Sequence, residues 1–485
     1  MNNDSTGGTS AAVRIADALA REFLPLPAGT RLPSQRDLVT RYQASATTVA
    51  QALVILAHSG LVESRPGAGS FRAQHFPHER VGNYDWQETA LNFSESESGI
   101  GVPRRLMGAD LAGAMRDHGP DVVDLSSGYL HPNLQPLRLL TTAMSRVAKR
   151  RDVWERPAIG GVPALRDWFA TEIGGGLGRG DVLIAPGGQA ALATTVRALT
   201  QPGDPIIVES PTYPGIIAAA QAAALHPVPV PLDGDGMVPD ALDEALSRTR
   251  ARVVIVQPLH QNPTATTMTP DRQRQIRDIA RQHSAFVIED DFARMLTHAD
   301  APDQPAPLIT EDPNGTVILL RSLTKCTSPN IRVAAIAARG AANQRIRAAL
   351  MVDTLVVPAV LQYAVLELVR SPGWRGAQRD LRVHLRDRCQ TAAGALARGL
   401  GSSALGVRPH GGYHLWVRLP PGMDSVTIAG RALARNVSVT AGAHYYLPGQ
   451  ENQPHLRISY VATPGIADVE EAAHRLADVI SNTDV

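Results

Sequence analysis

The sequence predicts an α/β protein in two parts. A small N-terminal unit of helix, helix–turn–helix and β wing precedes a large domain with a mostly parallel central sheet and a smaller C-terminal α+β lobe. Three observations predict it. Residues 11–73 hold three short helical periods and then two strand-like runs around a Pro-Gly turn. Over residues 109–480 the pattern changes: Val182–Ala185, Ile206–Glu209, Val253–Gln257, Phe286–Asp290 and Val317–Leu320 are short apolar runs, most followed by a helical period. That alternation belongs to parallel strands covered on both faces. Between the two, residues 74–108 have no sustained period and carry an acidic-serine run, so they read as a linker.

In the N-terminal unit Val13, Ile15, Leu19 and Phe23 share one helical face, and the Pro25–Pro33 stretch with Gly29 ends that helix. Ser34 is placed to cap a second helix, with Asp37 at capping-box spacing, and this helix runs to about Tyr42. A new cap at Ser45 starts the third. There Val49, Ala52, Leu53 and Leu56 turn to the core and leave Ala46, Thr47, Thr48 and Gln51 outward. Two strands, around Leu61–Arg65 and Ser70–Ala73, are joined by Pro66-Gly67-Ala68-Gly69 as a hairpin wing. In the large domain helices dominate after about residue 340, and strands return at Tyr413–Arg418 and Leu456–Tyr460.

Composition narrows the function. The 485 residues are 44% hydrophobic and 19% charged, and 47 basic side chains nearly cancel 46 acidic ones for a net charge of +1. There is no global field to draw DNA or membrane, so nucleic-acid contact must be a local patch. The opening MNNDSTGGTS lacks a signal-peptide pattern, and no apolar run approaches the ~18 residues of a membrane span, so a cytoplasmic protein without membrane contact is expected. Cys326 and Cys389 fit neither a zinc site nor a disulfide framework; two buried thiols and no metal site are expected. The basic residues comprise 45 arginines and only two lysines, Lys149 and Lys325. A lysine kept in such a chain points to a need for its amine.

In doubly wound sheets ligands gather at the carboxyl ends of the strands, and here polar residues recur at those ends. A turn of Gly187, Gly188, Gln189 and Ala190 follows the first strand, with free N–H groups for a phosphate. Tyr213, Asn262, Asp290, and then Ser322, Lys325 and Arg332, follow the next four. The set suits pyridoxal 5'-phosphate (PLP), which needs an amine for its aldehyde, a carboxylate at its ring nitrogen, donors for its phenolic oxygen and phosphate, and an aromatic plane. Lys325 is the amine. Glu289 and Asp291 flank Asp290 as alternatives for the carboxylate.

Through SLTKCTSPNIR and the residues just named, residues 109–480 resemble the fold-type I aminotransferases. The resemblance implies that Lys325 is the catalytic, cofactor-bearing lysine and that Arg332, Ser322 and the Gly188, Gln189, Ala190 turn bind phosphate. It further implies Asp290 at the ring nitrogen, Asn262 at the phenolic oxygen, Tyr213 on the ring, and Arg457 in HLRISYVATP as the grip for an amino-acid carboxylate. Residues 11–73, through LPSQRDLVTRYQASATTVAQAL and RPGAGSF, resemble the winged helix–turn–helix of GntR-type regulators. A GntR-like head on an aminotransferase-like body is the layout of MocR-type transcription regulators. The resemblance implies a homodimer that binds a specific element of double-stranded DNA, with Ser45, Thr47, Thr48 and Gln51 on the helix that meets bases and Arg36 and Arg65 near phosphates. Residues 1–80 contain eight Arg against six acids, a bias of +2 that suits groove reading over indiscriminate binding.

There are two departures. The family's EDDYD-like run reads Glu289-Asp290-Asp291-Phe292-Ala293 here, so a hydroxyl aimed at the phenolic oxygen is lost. Trp154 stands only near the position of a family aromatic and takes no role. The expectation is a PLP-dependent DNA-binding transcription regulator whose body senses an amino acid, an amine or PLP with muted turnover; the alternative is a working aminotransferase.

Overall fold

A computed structural model describes residues 11–23, 26–58, 61–65, 69–73, 118–450 and 453–482. The segment 74–108, read as a linker, and the wing tip 66–68 lie outside the described residues. The chain divides into two compact units, 1–99 and 100–485.

In the first unit α1 (Ala11–Phe23), α2 (Gln35–Tyr42) and α3 (Ala46–His58) precede β1 (Val62–Arg65) and β2 (Gly69–Arg72), which pair antiparallel with Val62 opposite Arg72. Ile15, Leu19 and Phe23 of α1 meet Leu38 of α2 and Val49, Ala52 and Leu56 of α3 in one buried cluster, with Leu53 half-buried at its edge. Ser34 Oγ accepts from the Asp37 amide at 3.3 Å while Asp37 accepts from the Ser34 amide at 3.1 Å, the reciprocal box anticipated for α2. Gln43 then takes a left-handed conformation, φ 48°, and turns the chain toward α3. Gln35 Nε2 donates to the Ala46 carbonyl at 2.9 Å and ties the starts of the two helices together. Arg31 forms a bridge with Phe71, a third edge to the wing that the surrounding Pro and Gly hide in the sequence.

In the second unit β3 (Val123–Asp124) is followed by the strands of an eight-stranded sheet: β4 (Val182–Ala185), β5 (Pro205–Ser210), β6 (His226–Asp233), β7 (Gly236–Met237), β8 (Val253–Val256), β9 (Phe286–Asp290), β10 (Val317–Ser322) and β11 (Ala334–Ala337). Their order is β4-β11-β10-β9-β8-β5-β6-β7; β7 and β11 run against the other six. Alternate side chains serve opposite faces. Leu183, Ile206, Val208, Ile255, Ile288 and Ile318 pack with the helices Gly188–Leu199, Pro214–Ala222 and Gly340–Thr354. Ile184, Ile207, Val254, Val287 and Leu319 pack on the other side with Leu165, Phe169, Ile276 and Ala280.

Of the strands in this unit that the sequence pattern does not announce, β6 and β11 are hidden for physical reasons. Pro227, Pro229 and Pro231 look like breakers. They occupy alternate positions, so β6 still pairs with β5 from its other residues, and only the short β7 lies beyond it. Ala334-Ala335-Ile336-Ala337 has a helix former's composition and is held extended by neighbours on both sides. The lobe holds β12 (His414–Arg418), β13 (Val437–Ser438), β14 (Thr440–Ala441) and β15 (His455–Ser459). Their three-stranded sheet runs β12-β15-β14, and β13 pairs with β3. The long helix Trp374–Leu400 packs on Ile466–Ser481. Cys326 and Cys389 are buried free thiols. No helix among the described residues is long and apolar enough to cross a membrane.

Ser34→Ala removes the α2 cap at a cost of about 1 kcal/mol, or about fivefold in local opening. Hydrogen exchange across Gln35–Tyr42 is expected to speed by that factor while peptides of the second unit stay unchanged; equal rates would contradict the cap's role.

Candidate functional site

The carboxyl ends of β4, β5, β8, β9 and β10 surround one pocket, lined by Gly188, Gln189, Tyr213, Asn262, Asp290, Ser322, Lys325 and Arg332. Tyr129, Gln257, Phe292, Thr324 and Tyr413 complete much of its wall. A larger cavity of about 650 Å³ lies between residues 294–304 and the start of the Trp374–Leu400 helix; it contains none of the predicted residues and is not the site.

Each wall has a local cause. Gly187 sits at φ 98°, and a Cβ there would fall 2.5 Å from an Arg332 Nη, so the guanidinium lies directly over the turn. Gly188 opens the next helix with Ser322 beside it, which sets backbone N–H groups, a hydroxyl and a cation around one anion-sized space. The Tyr213 ring occupies room that a side chain at Gly215 would take, 2.2 Å from its Cε1. Gln257 Nε2 donates to Asp290 at 2.7 Å, and its Oε1 accepts from the Asn262 amide at 3.1 Å. Buried Glu209 accepts from the Gln257 amide and the Gln261 carboxamide, each at 3.1 Å. Asn262 Oδ1 is buried without a partner.

The three consecutive acids at β9 separate by strand alternation. Asp290 lines the pocket. Asp291 turns away and accepts from Arg294 at 2.8 Å and from Arg321. Burial would raise Asp291, but these two arginines hold it below the usual carboxylate range. Glu289 is fully buried, and burial, with the Asp291 charge beside it, pushes its carboxyl above the usual range.

Lys325 Nζ donates to the Gly128 carbonyl at 2.9 Å and sits 3.7 Å from the centre of the Tyr129 ring. Burial, and then the charges of Arg457 and Arg332, bring its pKa down from 10.5 to about 7. Burial raises Asp290 to about 6 against the opposing Gln257 bond. An amine of that kind is about half neutral, and so nucleophilic, at neutral pH.

Two predicted residues stay off this wall. Ala190 lies inside the first helical turn and contributes backbone only. Arg457, on β15, is 3% exposed; it donates to the Ser126 carbonyl while its Nε has no partner. The Tyr413 ring lies 5.3 Å from Lys325 Nζ and 5.6 Å from Arg457 Cζ, on the boundary of the two groups. Phe292 packs edge-on against Tyr413 with ring centres 5.9 Å apart. Trp154 is 70% exposed and remote from the pocket wall. Gln257 was legible as a strand-end residue and went unassigned; Tyr129 and Tyr413 come from loops that carry no strand-end signature.

In the first unit Arg36, Thr47 and Gln51 are exposed. Ser45 and Thr48 are not simple base readers. Ser45 Oγ accepts from the Thr48 amide at 3.1 Å and meets Thr48 Oγ1 at 2.8 Å, so both hydroxyls serve the α3 cap. Arg65 pairs with Glu63 at 3.3 Å and covers the Phe71 ring at 4.8 Å, which ties up part of the charge expected for a phosphate.

Residues 120–476 match the aminotransferase class I and II family. The chain belongs to that family. Residues 12–71 of this aminotransferase-family chain match the bacterial regulatory proteins of the gntR family, so the two matches together have the MocR-type layout. The HTH-type transcriptional regulator YdfD of Bacillus subtilis is 26% identical over 464 residues, 94% of this chain and 92% of its own length. The HTH-type regulator YdcR of Escherichia coli is 28% identical over 85% of this chain and 87% of its own. The 2-aminoadipate transaminase of Thermus thermophilus is 31% identical over 74% of this chain and 89% of its own. Among solved structures, an α-aminoadipate aminotransferase of Thermus thermophilus complexed with N-(5'-phosphopyridoxyl)-L-leucine matches with TM-score 0.71 and 26% identity, over 78% of this chain and 95% of that one.

Gly187→Ala forces a Cβ into the Arg332 guanidinium at a positive φ. PLP affinity, followed by absorbance titration, is expected to fall tenfold or more with circular dichroism unchanged; unaltered affinity would remove Arg332 and this turn from the phosphate site.

Proposed function

We propose that this chain is a PLP-dependent, DNA-binding transcription regulator whose aminotransferase-type body senses an amino acid, an amine or the cofactor itself. One observation carries the reading: a buried lysine lowered to about 7 shares a pocket with Asp290, Asn262 and a glycine-arginine anion cradle, on the same chain as a gntR-type head. The residues fit the cofactor. The Arg332 guanidinium set over the Gly187 turn suits a phosphate, the buried Asn262 side-chain carboxamide, whose Oδ1 has no partner, suits a polar ring substituent, and Asp290, oriented by Gln257, suits a ring nitrogen. When bound, PLP supplies an aldehyde that captures amines and a ring that withdraws electrons.

The chain's own residues do the rest. Lys325 offers a neutral amine, Ser322, Arg332 and the backbone of Gly188, Gln189 and Ala190 hold the anion, and Tyr213 gives a flat surface. Arg457 has a buried charge with no ion pair among the described residues, which suits a ligand carboxylate. Phe292 fills its space without a hydroxyl, which favours sensing over turnover. We further read the body as a homodimer: Ile159, Met351, Val352 and Leu355 form an exposed apolar strip, with Val352 and Leu355 87% and 72% exposed. The head binds a specific element of double-stranded DNA in the cytoplasm, with Arg36 near phosphate. The resemblance to a 2-aminoadipate transaminase supports the second reading, a working aminotransferase.

Lys325→Ala is expected to abolish the borohydride-trapped PLP adduct. In the native protein Lys325 is charged below about pH 7 and neutral above it, so the rate of adduct formation is expected to climb through that pH and then level off. A rate still climbing toward pH 10, or an adduct on Lys149, would refute the assignment. Phe292→Tyr is expected to speed half-transamination of an accepted amino acid, read by absorbance, without strengthening DNA binding. Wild-type turnover on the order of 1 s⁻¹ or more would favour the aminotransferase reading instead.

A further inference from the structure

The outward face of α3 has a chemistry that selects among bases, and the following rests on the reading of the head as a DNA-binding module. We propose that α3 reads A·T base pairs, with Gln51 on adenine and the methyl groups of Ala46, Thr47 and Val54 on thymine.

Ala46, Thr47 and Gln51 are exposed, and Val54 continues the Thr47 and Gln51 face at 63% exposure. This face is opposite the buried Val49, Ala52 and Leu56. The Thr48 hydroxyl, the remaining polar group in the first turn, is engaged with Ser45 at 2.8 Å. No Arg or Lys occurs anywhere in α3. In the major groove a guanidinium or ammonium forks the N7 and O6 of guanine, a carboxamide forks the N7 and N6 of adenine, and apolar groups cover the thymine methyl. The face therefore carries the adenine and thymine partners and lacks the guanine one. The cations of this unit lie off the helix: Arg36 is exposed on α2, and Arg31 and Arg65 belong to the wing, with the Arg31 guanidinium 3.6 Å from where a Cβ at Gly69 would sit. Charge for the phosphates and readout of the bases are thus carried by different elements. The exposed Val54 side chain, costly in water, gains cover from a thymine methyl.

The test selects duplexes from a random library with the full-length protein, then remakes the enriched duplex with uracil for thymine one position at a time, which removes only a methyl. Expected are A·T pairs at the positions that respond to substitutions in α3, and binding about fourfold weaker at each contacted uracil, from ~0.8 kcal/mol per buried methyl. Gln51→Ala is expected to relax one adenine position and lose about tenfold on the selected site, and Ala46→Arg to shift a neighbouring preference to guanine. Both positions are exposed, so neither change touches the core. G·C pairs at the responsive positions, or indifference to uracil, would overturn the base assignment and leave DNA binding standing. Binding without any sequence selection would overturn specific DNA recognition itself.

Discussion

The Gln257 carboxamide is bonded at both ends, to Asp290 on β9 and to the Asn262 backbone amide, while the Gln257 backbone N–H donates to Glu209 on β5. Because a carboxamide donates only from nitrogen and accepts only at oxygen, this pattern fixes its orientation and, through it, the placement of Asp290 and Asn262 on the pocket wall. Glu209 is itself buried and pushed up to about 8. Such a network is stable only when nearly complete, since a buried polar group that loses its partner costs about 1–3 kcal/mol. The convergence of strand ends at the site is thus a requirement of satisfied polar groups as much as of sheet topology.

Charge in the pocket is deliberately unbalanced. Arg332 and Arg457 both act on Lys325, and Asp290 is the acid on the wall beside it. In a buried setting the excess is relieved by neutralising Lys325, the one group of the three able to release its proton near pH 7. An incoming dianion relieves it as well, so the site prefers a phosphorylated ligand before any shape is considered.

Much of this was legible in the sequence because strands that end on a singular polar residue announce a site in a parallel sheet. Val182–Ala185 and Phe286–Asp290 form strands with the anticipated ends, and Lys325 was conspicuous through the scarcity of its kind. The choice of Asp290 over Glu289 and Asp291 came from the family resemblance and not from the residues alone, since the pairing of β9 decides which carboxyl faces inward. Tyr129 and Tyr413 were hidden because their positions depend on packing between distant segments: Tyr413 occupies the space left by Gly128. In the head the sequence placed Ser45 as the α3 cap, as the structure has it, whereas Thr48 is half-buried and its hydroxyl joins that cap through a rotamer that spacing does not encode.

The first described strand of the body, β3, is fastened to the lobe by its pairing with β13. Just beyond it, the Ser126 carbonyl accepts from Arg457 and the Gly128 carbonyl accepts from Lys325. These two bonds hold the segment after β3 with the same donors that the proposed function assigns to a ligand carboxylate and to the cofactor. A ligand that takes both leaves two carbonyls to be satisfied by water or by displacement, so filling the pocket and loosening the segment after β3 draw on a single set of hydrogen bonds.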